Sequence, residues 1–102
     1  MLDADFVKIA KALADPTRRQ MIARLRELGC MNCSQVVENF PLSQPTISHH
    51  IKTLEAAGLV SVRRDGQFHI LSLEESRLAE FAAQVLPQPT PGKPRRGSES
   101  KA

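Results

Sequence analysis

No run of about 18 apolar residues occurs in this 102-residue chain, so no membrane-spanning helix is expected. The opening residues, Met1 to Phe6, have neither the basic nor the apolar region of a secretory signal, and the expected location is cytoplasmic, without membrane contact. Only two cysteines are present, too few for the disulfide framework of a small secreted domain. No phosphate-binding glycine loop, nucleophile–base pair or pair of carboxylates suggests catalysis, and the chain is not read as an enzyme. There is no internal repeat. Residues 1–86 also lack net charge, because ten Lys/Arg balance ten Asp/Glu, so the overall +3 comes wholly from residues 87–102.

That terminal stretch holds four of the seven prolines and no large apolar side chain, too little to offset the entropy of ordering. Residues 87–102 are expected to form a disordered, basic, Pro-rich tail carrying Lys93, Arg95, Arg96 and Lys101. What remains, residues 1–86, is enough for one domain with one core.

Helical periodicity begins with Phe6, Ile9, Ala10 and Leu13 and stops before Asp15, which caps a second helix opening at Pro16. In that second helix Met21, Ile22, Leu25 and Leu28 are the expected buried stripe, and Gly29 ends it. Asn32 followed by Gln35 suits a capping box for a third helix, with Val36, Val37 and Phe40 as its apolar side and Pro41 as its stop. A fourth helix spans residues 44–57: Leu42 acts as a staple, Ser43 or Gln44 closes the start, and Pro45 sits where a missing N–H does no harm. At about 100° per residue, Ile47, Ile51 and Leu54 share one face. The opposite face carries His49 and Lys52 flanked by Thr46, Ser48 and Thr53, short donors and acceptors of the kind that read a DNA groove.

Two β-prone runs follow, Leu59 to Arg64 and Gln67 to Leu73, joined by Asp65-Gly66 as a two-residue loop suited to a type I′ turn. Arg63, Arg64 and Gln67 crowd the hairpin tip, while His69 alternates outward from Phe68 and Ile70. A last helix carries Leu78, Phe81, Ala82, Val85 and Leu86 at i, i+3, i+4, i+7 spacing. The fold expected is mainly α with a small β-hairpin, α+β overall: four helices, two strands and a last helix, a winged helix-turn-helix. In that layout the fourth helix enters the major groove and the hairpin lies along the phosphates. The expected DNA-binding set is Ser43, Gln44, Thr46, Ser48, His49, Lys52, Arg63, Arg64 and Gln67. His50 lies nearer the core and is read as a partly buried, hydrogen-bonded ring. Residues 16–72 hold seven basic and four acidic groups, a local excess that fits this face, and the acids cluster in end helices expected away from DNA.

The runs Ala12-Leu13-Ala14-Asp15-Pro16-Thr17-Arg18-Arg19, Leu42 to Leu54, and Ala57-Gly58-Leu59-Val60 with Arg63-Arg64-Asp65-Gly66 resemble the ArsR/SmtB family of winged-helix repressors over residues 6–86. The resemblance implies a homodimer built on the first and last helices, two fourth helices in successive major grooves of a palindromic operator, and repression relieved by an inducer. The last helix supports the dimer independently, since an apolar stripe added beyond a complete small domain needs a partner. Phe6, Ile9, Leu78, Phe81, Ala82 and Val85 are its expected interface.

Cys30 and Cys33 are the candidate sensor. Cys33 opens the third helix, where the dipole lowers a thiol pKa, and Cys30 is close enough to be a second ligand or resolving thiol. Such a pair suits arsenite, antimonite, cadmium or zinc, or reversible oxidation, but cannot fill a tetrahedral site alone. The resemblance leaves both open: the family's thiolate site has Cys-Val-Cys followed by Asp, and its last-helix zinc site needs Asp and His, which residues 74–86 lack. The reading without sensing, with Cys33 a small buried hydrophobe and Cys30 a loop residue, also stands. A thiol–disulfide oxidoreductase would need a strand-helix-strand context around Cys-x-x-Cys that these flanks do not offer. A winged helix used only for protein contacts is the remaining alternative.

Overall fold

The computed structural model describes residues 1–86; the tail expected to be disordered lies outside the described residues. The elements run α1 (Asp3–Leu13), α2 (Pro16–Leu28), β1 (Cys30–Asn32), α3 (Cys33–Asn39), α4 (Gln44–Ala56), β2 (Val60–Asp65), β3 (Phe68–Leu73) and α5 (Glu75–Val85). This is the expected winged helix-turn-helix order with one strand added.

Side chains set most of the helix boundaries. Asp15 caps α2 by accepting the Arg18 backbone N–H at 3.0 Å, with Pro16 in the first turn. That bond is the leading reason the Asp15 carboxyl is held below its ordinary value of 3.8. The last carbonyls of α1, of which that of Lys11 keeps the Ala14 N–H as a backbone partner, are met by two guanidinium groups. Arg18 donates from Nε to Ala12 at 2.7 Å and from Nη2 to Lys11 at 3.3 Å, and Arg19 donates to Leu13. Asn32 and Gln35 form the reciprocal capping box of α3, each bond 2.9 Å long. Ser43 caps α4, accepting the Thr46 N–H at 3.4 Å.

The sheet has strand order β1-β3-β2, antiparallel throughout. Cys30, Met31 and Asn32 pair with Ser72, Leu71 and Ile70, so the segment expected to be a loop is an edge strand. Three residues are too few to show a period, and the strand is stabilised by pairing with a distant segment. The hairpin turn is also displaced: Asp65 pairs with Phe68, leaving Gly66-Gln67 as the loop. Gly66 has φ +64°, and no non-glycine described residue has positive φ, so a type I′ turn, which needs two such residues, does not form. Glycine first in a two-residue loop is the type II′ arrangement. Pleating sends Val60, Val62, Leu71 and Met31 toward the core. Phe68 and Ile70 lie on the other face, Phe68 at 47% exposure, so the expected inward direction of these two is reversed. His69 is exposed all the same, because it lies near the tip, beyond the core.

Ile47, Ile51 and Leu54 of α4 are buried in the core, where the helix packs on α1, α3 and β2, which fixes its orientation and turns its polar side to water. Leu28 and Val37, expected in the core, are 48% and 39% exposed. Both lie at the rim of their helices' apolar stripes. The last helix, α5, contributes no fully buried residue; Leu78 and Phe81 lean on the core, and Phe81 stacks on Phe6 with ring centroids 4.7 Å apart. Arg77 ties α5 to α1 through Asp5 at 3.4 Å and lies over Gly58, at the joint between α4 and β2.

Candidate nucleic-acid interface

The face of α4 opposite its buried stripe carries His49 and Lys52 flanked by Thr46 and Ser48, all exposed, and Ser43 and Gln44 are exposed at the helix start. Ser43 and Thr46 are hydrogen-bonded to each other through their hydroxyls at 2.8 Å, so the helix start and the first exposed hydroxyl are one rigid unit. Thr53 donates its hydroxyl to the His49 carbonyl at 3.0 Å. The side chains of Ser48, His49 and Lys52 project from a backbone held by three core residues, a rigid placement that loops do not provide.

His50 has a different environment. Its Nδ1 lies 3.0 Å from Nη1 of Arg18, and because a guanidinium only donates, Nδ1 accepts and the ring proton sits on Nε2. The half-buried ring thus joins α4 to the first turn of α2, matching the hydrogen-bonded, inward role expected for it.

On the wing, Arg63 pairs with Ile70 and Arg64 with His69, so the two arginines project from opposite faces of the hairpin. Gln67 occupies the turn itself. Three ion pairs are found among the described residues, Arg24–Glu27, Arg26–Glu75 and Arg77–Asp5. None involves Lys52, Arg63 or Arg64, which are exposed. Arg18 and Arg19, counted in the local basic excess, are instead engaged with the end of α1. The signal for this was in the sequence: two arginines within a turn of a helix stop can reach back to its carbonyls.

The cysteines are brought near each other in sequence but not into like surroundings. Cys30 is exposed on the sheet face opposite Met31, whereas Cys33, the first residue of α3, is half-buried and packs on the core. Burial pushes the Cys33 thiol above its usual value, the reverse of the lowering expected at a helix start. Among the described residues no group of three or more His, Cys, Asp or Glu side chains is placed to hold a metal ion.

Of the residues expected at a dimer interface, Ala82 and Val85 are exposed, and Phe6, Leu78 and Phe81 are half-buried. Ile9 must be removed from that set, since it is 0% exposed within the protomer's own core. Leu2, Val7 and Leu86, at 74%, 44% and 73% exposure, add apolar surface on α1 and α5 and beside them.

Comparison with known proteins agrees with this geometry. Residues 13–63 match a family described as a helix-turn-helix domain. The chain is 39% identical over 78 residues to the transcriptional repressor SdpR of Bacillus subtilis, covering 76% of this chain and 86% of that one. It is 37% identical over 70 residues to an arsenical resistance operon repressor of Staphylococcus xylosus, covering 69% and 66%. An ArsR family transcriptional regulator superposes with TM-score 0.75 at 27% identity over 83% of this chain and 87% of that one. A homodimeric winged helix-turn-helix DNA-binding domain from Mycobacterium bovis gives 0.65 at 27% identity, covering 80% and 77%. With the helix-turn-helix, the wing and these relatives in agreement, the chain belongs to the ArsR/SmtB family of winged helix-turn-helix transcriptional repressors.

Proposed function

We propose that this repressor acts in the cytoplasm as a homodimer, with two copies of α4 in successive major grooves of an imperfect palindrome and the wings along the flanking phosphates. The observation that carries the reading is the exposed face of α4, where Ser48, His49 and Lys52 stand beside a wing whose Arg63 and Arg64 have no ion pair among the described residues. His49 and Ser48 contact base edges, Lys52, Arg63 and Arg64 contact phosphates, and Ser43, Gln44, Thr46 and Gln67 complete the contact surface. The homodimeric Mycobacterium bovis neighbour supports the assembly, and the apolar surface on α1 and α5 supplies the contact.

Selection from a random duplex pool tests the reading. The expected product is a palindrome with half-sites about 10 base pairs apart, bound with an affinity that falls steeply with salt. Replacing His49 or Lys52 by Ala is expected to weaken that binding about tenfold without changing the melting temperature. Recovery of no preferred sequence would leave the protein-contact reading of the winged helix in place.

For the inducer, the arsenical repressor relative and the exposed Cys30 support a thiophilic ligand such as arsenite, cadmium or zinc, with Cys33 or the partner protomer completing the ligand set. Release of the selected duplex on arsenite or cadmium addition, lost in Cys30→Ser, is the expected result; unchanged affinity would remove metal sensing from the proposal.

A further inference from the structure

Beside α4, on the side away from Glu55, α1 and α4 enclose a notch of about 280 Å³. It is lined by Lys8, Lys11 and Ala12 of α1, Arg18 of α2, Thr53 and Ala56 of α4, and Ala57 just beyond. No acidic side chain lines it. Neither lysine makes an ion pair among the described residues, and both are exposed. Lys8 and Lys11 are three apart on one helix, so their like charges repel unless an anion lies between them. Arg18 is fixed by its bonds to Ala12, Lys11 and His50 and adds a stationary positive charge behind the two mobile ammonium groups.

We propose that this notch takes a backbone phosphate of duplex DNA, making Lys8 and Lys11 binding residues that lie outside the helix-turn-helix and the wing. The assignment deepens the DNA-binding reading given above and rests on it. Charge favours an anion, since Lys8, Lys11 and Arg18 line the notch and no carboxylate does. Position favours a phosphate of DNA: Thr53 and Ala56 belong both to the notch and to the side of α4 that presents His49 and Lys52, so a strand flanking the groove occupied by α4 passes the two lysines. The first helix, expected to stand away from DNA, becomes part of the binding surface.

The test uses the full chain and its Lys8→Gln/Lys11→Gln double variant on two duplexes, one enriched by selection and one scrambled. Arg18 is left intact because it caps α1, and Lys8→Arg/Lys11→Arg serves as the charge-retaining control. In chloride buffer the Gln variant is expected to bind both duplexes several-fold more weakly, by the same factor, with a salt slope shallower by about 1. The Arg variant is expected to keep the wild-type slope. An unchanged slope in the Gln variant, with steep binding by the wild type, overturns this proposal alone; absence of DNA binding by the wild type overturns the underlying reading. A difference between wild type and variant that appears only when inorganic phosphate replaces chloride assigns the notch to a free anion and also overturns it.

Discussion

Arg18 shows how one side chain can join three elements. Its backbone N–H is held by the Asp15 cap, Nε and Nη2 close the end of α1, and Nη1 reaches His50 on α4. Removing it strands the Ala12 carbonyl and the ring nitrogen together, so Arg18→Ala is expected to cost about 2 kcal/mol in urea unfolding. Arg18→Lys is expected to recover little, because an ammonium cannot serve three acceptors in a fixed fork. Cys30 and Cys33 are distinguished at the same scale. With Cys33 packed on the core and its thiol pushed up, iodoacetamide at pH 8 is expected to label Cys30 at least about fivefold faster, by mass spectrometry. Equal or faster labelling of Cys33 would restore it as the reactive thiol.

Among the elements, those that start on a side chain bonding within three residues could be read directly from the sequence. Asp15, Asn32 and Ser43 each cap the helix expected of them, and the stripe of Ile47, Ile51 and Leu54 gave α4 its correct face. β1 could not be read this way, because nothing within Cys30-Met31-Asn32 announces a strand until β3 lies beside it. The turn was misplaced by one residue for a related reason: Asp-Gly and Gly-Gln both make acceptable two-residue loops, and the choice belongs to the register set by Leu71 packing inward. The nearness of Arg18 and Arg19 to the stop of α1 is legible in the sequence, but which carbonyls they meet depends on the angle between two helices, which local pattern does not encode. The α2 cap also gives a pH dependence. Since Asp15 is held below 3.8, its contribution is present above that value and is lost as pH falls through the lower, folded-state pKa. Asp15→Asn, which keeps a capping oxygen, is expected to flatten the stability profile below about pH 4 in urea melts while retaining α2.

For the molecule as a whole, the distribution of buried surface is uneven. The core is complete with α1–α4 and the sheet, while α5 adds only half-buried contacts and leaves Val85 at 50% and Leu86 at 73% exposure. A helix placed this way contributes most when its outer face meets a second copy. Val85→Asp is expected to weaken the dimer at least about tenfold in sedimentation equilibrium, and to weaken operator binding with it, leaving the circular dichroism spectrum unchanged. A fully dimeric variant would move the interface elsewhere. The apolar face of the last helix was legible from its stripe, although Ile9 shows the limit: periodicity marks an apolar face without saying whether the protomer's own core or another surface covers it.

The joint between α4 and β2 links these scales. Gly58 has φ +77°, and a methyl group there would stand 2.8 Å from Nε of Arg77, the guanidinium that holds α5 to Asp5. Alanine at this position would be strained by the positive φ and would push the Arg77 guanidinium aside, away from its present place against Asp5. In the dimer proposed above, one added carbon at the end of α4 would therefore be passed through Arg77 to the helix whose outer face meets the second copy.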